Sequence, residues 1–404
     1  MTKANEHTGC GIWSVLRLPC GVELKNRLIK ASMSDSLGNG RGNPTDRQVR
    51  LYERWAQGGV ALSLIGEVQT IPHYPEKPGN LVLGSLSDMT GLRLLAERGS
   101  SDGALIWPQL GHAGALAHAP VSHPKGPSPL DVSGLRCEGM TLEDIAALPA
   151  TYAEAAIRAR QAGFGGVQIH AGHGFLFSQF LSPLFNRRTD AYGGSVANRF
   201  RVIGEVIDAV RKAAGPDFPI GIKINSTDKL EGGLTEDEAL DVVRLLDTTT
   251  VDLIDVSGGT YFPGAPASSD GVSATGPYFV DFSRRAKSVT DIPVMLTGGI
   301  KTRAGAVAVI EGGVADAVGL ARSMVLEPGL AKVWLSGTGS DPAFPTFEAP
   351  PAGAVTAWYT MRLTALGEGT ETAFDMTALE ALKVYEARDE ERCARWLARF
   401  SSVA

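Results

Sequence analysis

Residues 195–226 read SVANRFRVIGEVIDAVRKAAGPDFPIGIKINS, and this stretch contains a helix pattern followed by a strand pattern. Ser195 is a residue type that caps helix starts, and Gly215 with Pro216 is typical of a helix end. The apolar run at 219–226 then ends in polar residues. Between these signals, apolar residues recur at helical spacing at Phe200, Ile203, Val206, Ile207 and Val210. The stretch therefore predicts a helix that leads into a buried strand.

Seven more short apolar runs suit parallel strands covered by helices. Thr235 and Glu238 form a capping-box pattern that starts another crossover helix. Eight strand–helix units over roughly 300 residues favour a single closed (β/α)8 TIM barrel over an open doubly wound sheet. The open sheet needs a Gly-rich nucleotide turn, which no strand here carries. The seven runs span residues 28–33, 61–68, 105–110, 166–170, 253–257, 293–298 and 317–322.

Three irregular segments accompany the predicted barrel. Residues 15–25 have the pattern of a hairpin that turns at Cys20-Gly21, and we expect it to cap the end of the barrel opposite the active site. Residues 111–139 and 260–277 are rich in Gly, Pro and Ser and follow barrel strands. Both are candidate lids over the carboxyl-terminal rim, or plain connecting loops.

The end of the sequence predicts a helical extension. After Trp334 comes a Pro-rich linker and then two helical patterns, at 355–366 and 377–400. We divide the chain into a barrel at 1–335 and an extension at 336–404. The extension is expected to pack on the barrel or on a neighbouring subunit of a homo-oligomer.

Composition narrows the class of partner. Charged residues make up 20% of the chain and the net charge is -6, which argues against a nucleic-acid-binding surface. The sequence has no apolar run of about 18 residues and no secretory leader pattern, so we expect neither a membrane span nor export. Its four cysteines are far apart and are interpreted as reduced thiols. A cytoplasmic protein with a small-molecule partner is the expectation.

His170 and His173 follow the fourth predicted strand, where a barrel builds its active site. Two histidines at this spacing can aim both ring N–H groups at one oxygen and polarise a carbonyl. Alternatively, they are bonded to the backbone at a turn. A metal site would need a third ligand, and the loop histidines lack compact ligand spacing, so no metal is expected. Those loop histidines are His112, His118 and His123.

Long motifs surround the two histidines and resemble the signature of the old yellow enzymes. The resemblance runs from about Leu16 to Trp334 and implies a barrel that binds flavin mononucleotide (FMN) and accepts electrons from NADH or NADPH. The matching segments are LKNR at 24–27, Gln109 with HAG at 112–114, HAGHG at 170–174, FLSP at 180–183, NRRTD at 186–190, YGGS at 192–195, Asn198-Arg199, SGG at 257–259 and the glycine segments near 298 and 319.

The resemblance also implies a set of cofactor-binding residues. Gln109 would bond the pyrimidine edge of the flavin, and Lys223 would place a positive charge beside flavin N1. Glycine backbone after the last two strands, with Arg322, would hold the phosphate. Without the resemblance, Lys223 is a barrel lysine paired with an acid, and the glycines permit close turns. The implied set is Met33, Ser34, Gly66, Glu67, Gln109, Lys223, Gly298, Gly299, Gly319, Leu320, Ala321 and Arg322.

Phe175 departs from the family pattern, because relatives usually carry a tyrosine there that protonates the α-carbon of the substrate. Ser34 and Tyr261 join it as expected pocket residues, and Tyr261 is a substitute donor or an ordinary loop aromatic. The predicted activity is FMN-dependent hydride transfer from NAD(P)H to the C=C bond of an α,β-unsaturated carbonyl compound. The alternatives are a flavin-assisted double-bond isomerase or desaturase, a flavin-binding protein without turnover, and a barrel that binds no flavin.

Overall fold

Eight parallel strands close into a barrel in the computed structural model, which describes residues 10–132, 134–263, 265 and 276–401. Each of the eight predicted apolar runs overlaps one strand to within a few residues, so the predicted (β/α)8 barrel is confirmed. The strands are β1 Leu28–Lys30, β2 Leu62–Gln69, β3 Leu105–Gly111, β4 Val167–Ala171, β5 Ile220–Asn225, β6 Leu253–Ser257, β7 Val294–Thr297 and β8 Ala317–Leu320.

Strand pairing closes the ring and sets which side chains meet inside it. β8 pairs with β1 through Val318 and Leu28, and β1 pairs with β2 through Ile29 and Leu62. All eight strands are parallel, so their carboxyl ends share one rim. This rim is where side chains from different strands can form one site.

A helix follows each strand and covers the outside of the barrel, and β4 and β8 are each followed first by a short helix, Leu176–Leu181 and Arg322–Leu326. The caps expected from the sequence are present: Ser195 Oγ accepts a hydrogen bond from the Asn198 N–H, and Thr235 with Glu238 forms both bonds of a capping box. The helices are α1 Asp46–Gln57, α2 Met89–Gly99, α3 Leu142–Ala162, α4 Val196–Ala214, α5 Glu236–Asp247, α6 Val280–Lys287, α7 Arg303–Glu311 and α8 Leu330–Ser336.

The predicted hairpin lies at the amino-terminal end of the barrel. Leu16–Arg17 pairs antiparallel with Glu23–Leu24. The Cys20 N–H donates to Asp252 Oδ1 at 2.9 Å, and Asp252 directly precedes β6. The hairpin therefore caps the end opposite the rim, as expected.

The two candidate lids differ in how far they can be described. The 111–139 segment, described except for residue 133, contains a small three-stranded sheet formed by Lys125–Gly126, Leu130–Val132 and Leu135–Gly139. Of the 260–277 segment, residues 264 and 266–275 lie outside the described residues. Its role as a lid stays a prediction.

The helical extension contains α9 Ala354–Glu368 and α10 Ala378–Phe400. Arg54 of α1 donates to the Leu366 carbonyl at 2.8 Å, and Arg392 of α10 donates to the Ser36 carbonyl at 2.7 Å. Both helices thus contact the barrel of their own chain. The domain division at residue 335 and a role of the extension between subunits stay predictions. Within the described residues, no helix has the length and apolar character to cross a membrane.

Candidate active site

A cavity of about 1110 Å³ opens at the rim of the barrel. Most of the predicted site residues line it, whereas five do not: His170, Gly66, Glu67, Gln109 and Leu320. The predicted residues that line the cavity are Met33, Ser34, His173, Phe175, Lys223, Tyr261, Gly298, Gly299, Gly319, Ala321 and Arg322. The strand ends therefore bring together side chains that are far apart in the sequence.

The imidazole rings of His170 and His173 contact each other through one nitrogen of each ring. His170 Nε2 lies 3.2 Å from His173 Nδ1, and His173 Nε2 lies 3.0 Å from Ser257 Oγ. His173 has a left-handed backbone conformation, with a φ of 60°, and its N–H donates to Asn225 Oδ1 at 2.9 Å. Such strain at a rim position persists only when the surroundings hold it. Only His173 of the pair lines the cavity, so the two rings do not both face it in this structure.

Glu67 at the end of β2 contacts the far side of His170. Its Oε1 lies 2.8 Å from His170 Nδ1, and both side chains are buried. Burial raises the pKa of Glu67 to about 8, against the opposing effect of Lys223. Burial also lowers the pKa of His170 to about 3 and that of His173 well below its ordinary value. Both imidazoles are therefore neutral near pH 7.

Lys223 is the central residue of a buried polar layer beneath the cavity. Its Nζ lies 2.7 Å from Asp255 Oδ2, and the two side chains are 1% and 0% exposed. Asp255 also accepts hydrogen bonds from Gln168 at 3.1 Å and from Thr297 at 2.6 Å. The alternative interpretation of Lys223, a barrel lysine paired with an acid, is thus observed. It is compatible with a role towards a ligand, because Lys223 also lines the cavity.

Gln109 belongs to the same layer. Its amide nitrogen donates to Ser32 Oγ at 2.9 Å and to Gln168 Oε1 at 2.7 Å. Gln109 is buried and does not line the cavity, whereas Ser32 does. The predicted contact of Gln109 with a flavin stays a prediction.

Glycines and Arg322 form the wall built by the ends of β7 and β8. Gly298 and Gly299 have φ values of 124° and 76°, which favour glycine, and a Cβ on Gly319 would lie 2.1 Å from Thr297 Oγ1. The Arg322 guanidinium stacks over the ring of Tyr359 on α9, with its Cζ 4.8 Å from the ring centroid. Exposed backbone, a guanidinium and the Lys223 ammonium are a donor set suited to a ligand that carries phosphate and a negatively charged ring. The residues present therefore fit FMN.

Phe175 places an apolar ring where the family pattern has a hydroxyl. The ring is 4% exposed and packs with Ala113 and Ala117. Its centroid lies 5.0 Å from that of His170 and 5.9 Å from that of Tyr261. Tyr261 is 61% exposed and also lies 5.9 Å from the His173 ring. Tyr261 is the residue that the sequence analysis named as a substitute proton donor, and its side chain lies on the same side of the cavity as Phe175.

Several residues of the site were not identified from the sequence. On β5 and β6, Lys223 with Asn225 and Asp255 with Ser257 are spaced by two, so each pair shares one face of its strand. That spacing could have indicated that Asn225, Asp255 and Ser257 belong to the site together with Lys223. Tyr385 of α10 also lines the cavity, and no signal pointed to it, because the extension lies outside the resemblance.

In a comparison with known proteins, residues 19–337 match the NADH:flavin oxidoreductase / NADH oxidase family. The chain is 34% identical over 364 residues to the NADH-dependent flavin oxidoreductase iliE of Neonectria sp. (strain DH2), covering 81% of this chain and 47% of that protein. It is 33% identical over 311 residues to an NADPH dehydrogenase of Geobacillus thermodenitrificans (strain NG80-2), covering 76% of this chain and 89% of that protein. The old yellow enzyme homologue from Zymomonas mobilis shares the fold, with a TM-score of 0.70 at 21% identity, over 83% of this chain and 95% of that chain.

Proposed function

The chain belongs to the NADH:flavin oxidoreductase / NADH oxidase family, and we propose that it reduces the C=C bond of α,β-unsaturated carbonyl compounds. Members of the family are NAD(P)H-dependent flavin oxidoreductases, so the chain is an enzyme that uses FMN with NADH or NADPH as the electron donor. We propose a small-molecule substrate. A cytoplasmic location and assembly into a homo-oligomer remain part of the proposal.

One observation supports this reaction above the others: a neutral imidazole that can donate a hydrogen bond lines the cavity. His173 presents Nε2 towards Ser257 Oγ, and both residues line the cavity. A carbonyl oxygen at the position of this contact would accept the His173 N–H as negative charge develops on it. The donor is fixed in place through Asn225, so little reorganisation is needed when the substrate binds.

The proposed cofactor contacts use the residues of the cavity wall and floor. Arg322 and the backbone of Gly298, Gly299 and Gly319 would hold the phosphate, and Lys223 would lie beside the ring. When bound and reduced by NAD(P)H, FMN supplies the hydride for the substrate. The task left to the protein is to bind the carbonyl oxygen, exclude water and deliver a proton.

The proposed function is tested by anaerobic assay of the holoenzyme with cyclohexenone and either NADH or NADPH. We expect nicotinamide oxidation in step with loss of the enone. The second candidate, a flavin-assisted double-bond isomerase or desaturase, is favoured by the apolar ring of Phe175, which cannot donate a proton. It predicts substrate conversion without net nicotinamide oxidation. Failure of both nicotinamides to bleach the flavin would instead support a flavin-binding protein without turnover.

Replacing Arg322 with alanine is expected to weaken FMN binding by about 10- to 100-fold, since hydrogen bonds to charged groups contribute about 1.5–3 kcal/mol. Arg322 lines the cavity beside the glycine wall. Fluorescence titration of the apoprotein with FMN measures the change, and riboflavin, which lacks the phosphate, is the matched control ligand. An equal loss for both ligands would contradict a phosphate contact.

A further inference from the structure

Four side chains form a continuous chain from the barrel interior to the cavity: Glu67, His170, His173 and Ser257. The three contacts along it measure 2.8, 3.2 and 3.0 Å. Glu67 and His170 are buried and do not line the cavity, whereas His173 and Ser257 do. The chain therefore connects a buried carboxyl group with the place where a substrate oxygen would bind.

The protonation states of Glu67 and of the two histidines indicate where the protons lie in this chain. His170 Nδ1 lies 2.8 Å from Glu67 Oε1 but is not aligned with it for a hydrogen bond. Because burial favours the neutral forms of both side chains, we assign the proton at this contact to the Glu67 carboxyl group, which donates to Nδ1 once the ring turns its lone pair towards it. A neutral imidazole has one N–H, so His170 carries its proton on Nε2 and donates to His173 Nδ1. By the same rule, His173 Nε2–H donates to Ser257 Oγ. This assignment gives one donor at each contact, and every donor points towards the cavity.

The surroundings of Glu67 keep its carboxyl group protonated at neutral pH. Its Oε2 is buried without a hydrogen-bond partner among the described residues, and an ionised carboxylate there would be left incompletely solvated. The titratable groups that interact with it are His170, Lys223, Glu76 and Tyr152. Lys223 favours the ionised form, but burial dominates and the pKa of Glu67 lies at about 8.

We propose that Glu67 stores the proton that completes enone reduction and passes it through His170 and His173 to the substrate oxygen. The inference rests on the proposed function. The Glu67 O–H bond breaks as an N–H bond forms at His170 Nδ1, the Nε2 proton of His170 moves to His173 Nδ1, and the Nε2 proton of His173 moves to the enolate oxygen. The electron pair on that oxygen forms the O–H bond of an enol, and Glu67 is left as a carboxylate.

This route explains how reduction proceeds with phenylalanine at 175. An enolate oxygen is a stronger base than a carboxylate, so transfer along the chain is favourable. The product leaves as an enol and becomes the ketone in water, so no hydroxyl beside the α-carbon is required. Glu67 is thus a positioning and proton-storing residue that acts through His173.

Infrared spectroscopy of the holoenzyme at pH 7 tests the proton store without turnover. We expect a carboxylic-acid C=O band that Glu67→Gln removes. Glu76→Gln is the matched control, because Glu76 is a second carboxyl group whose pKa is raised, by burial and by Glu67, to about 7. The Glu67 band should persist in this control. A Glu67→Gln spectrum that loses no carboxylic-acid band overturns the proposal, whatever compound the enzyme reduces.

Rapid mixing of the reduced enzyme with cyclohexenone tests the transfer. Glu67 donates only while protonated, so the wild-type rate should fall as the pH rises through about 8. Glu67→Gln should be slower by about 10- to 100-fold at pH 7 and lose this pH dependence. Reoxidation by ferricyanide, which takes electrons without a proton, should be slowed far less than reoxidation by cyclohexenone. Adding Phe175→Tyr should restore most of the lost rate by supplying a different donor.

Each outcome separates the relay from the proposed function. A Glu67→Gln variant with the wild-type rate and pH profile towards cyclohexenone overturns the relay and leaves enone reduction intact. Wild-type enzyme that is bleached by NAD(P)H but never reoxidised by any enone overturns the proposed function and the transfer step with it. In that case, the infrared band still decides where the proton resides.

Discussion

Replacing His173 with alanine is expected to slow reoxidation of the reduced enzyme by cyclohexenone by about 100- to 1000-fold, the typical cost of losing an oxyanion donor. His173 is the member of the histidine pair that lines the cavity, and it presents its Nε2 donor there. The substitution removes both the hydrogen bond to the developing negative charge and the last carrier of the proton relay. Stopped-flow absorbance of the flavin measures the rate.

The matched control for this variant is its reaction with NADH or NADPH and with ferricyanide. Neither reaction requires polarisation of a substrate carbonyl, so both should remain near the wild-type rate. His173 has a φ of 60°, and alanine at the same φ bears a similar backbone strain, so the fold should be retained. Equal slowing in all three reactions would indicate damage to flavin binding instead of loss of a substrate contact.

Replacing Lys223 with methionine is expected to destabilise the apoprotein by about 3–5 kcal/mol, because it leaves the buried Asp255 carboxylate without its cation. The two side chains are 2.7 Å apart and almost fully buried. Denaturant unfolding of the apoprotein, followed by tryptophan fluorescence, measures the loss of free energy of unfolding.

The double variant Lys223→Met with Asp255→Asn is the control for that prediction. It removes both charges and keeps an amide that can bond Gln168 and Thr297, so most of the stability should return. Recovery would show that the loss comes from an unpaired charge and not from a missing side chain. If the single and double variants are equally unstable, the buried ion pair does not explain the role of Lys223 in the barrel.

Much of the architecture could be predicted because it depends on local patterns. The apolar run at 219–226 and the capping signals at Ser195 and Thr235 specify elements that the structure contains almost at the expected residues. The motif at 170–174, together with the other matching segments between about Leu16 and Trp334, indicated the family, which the match over residues 19–337 confirms. Local periodicity and contiguous motifs carry this information within short stretches of sequence.

The connections inside the site could not be predicted in the same way. Glu67 and His170 lie on different strands, and their contact depends on how β2, β3 and β4 are arranged in the closed ring. Glu67 also has a φ of 57°, a conformation that a glutamate rarely adopts. The sequence indicated a contact between this position and the cofactor, but not that its side chain reaches a histidine.

The contribution of α9 and α10 to the cavity has a consequence for how this enzyme can diverge. Tyr359 and Tyr385 line one side of the cavity, yet neither takes part in the strand pairing that closes the barrel. Changes on these two helices can therefore alter the shape of the cavity while leaving the barrel strands and their rim residues untouched. Mutational libraries confined to this wall offer a route to new specificities with a small risk of losing the scaffold.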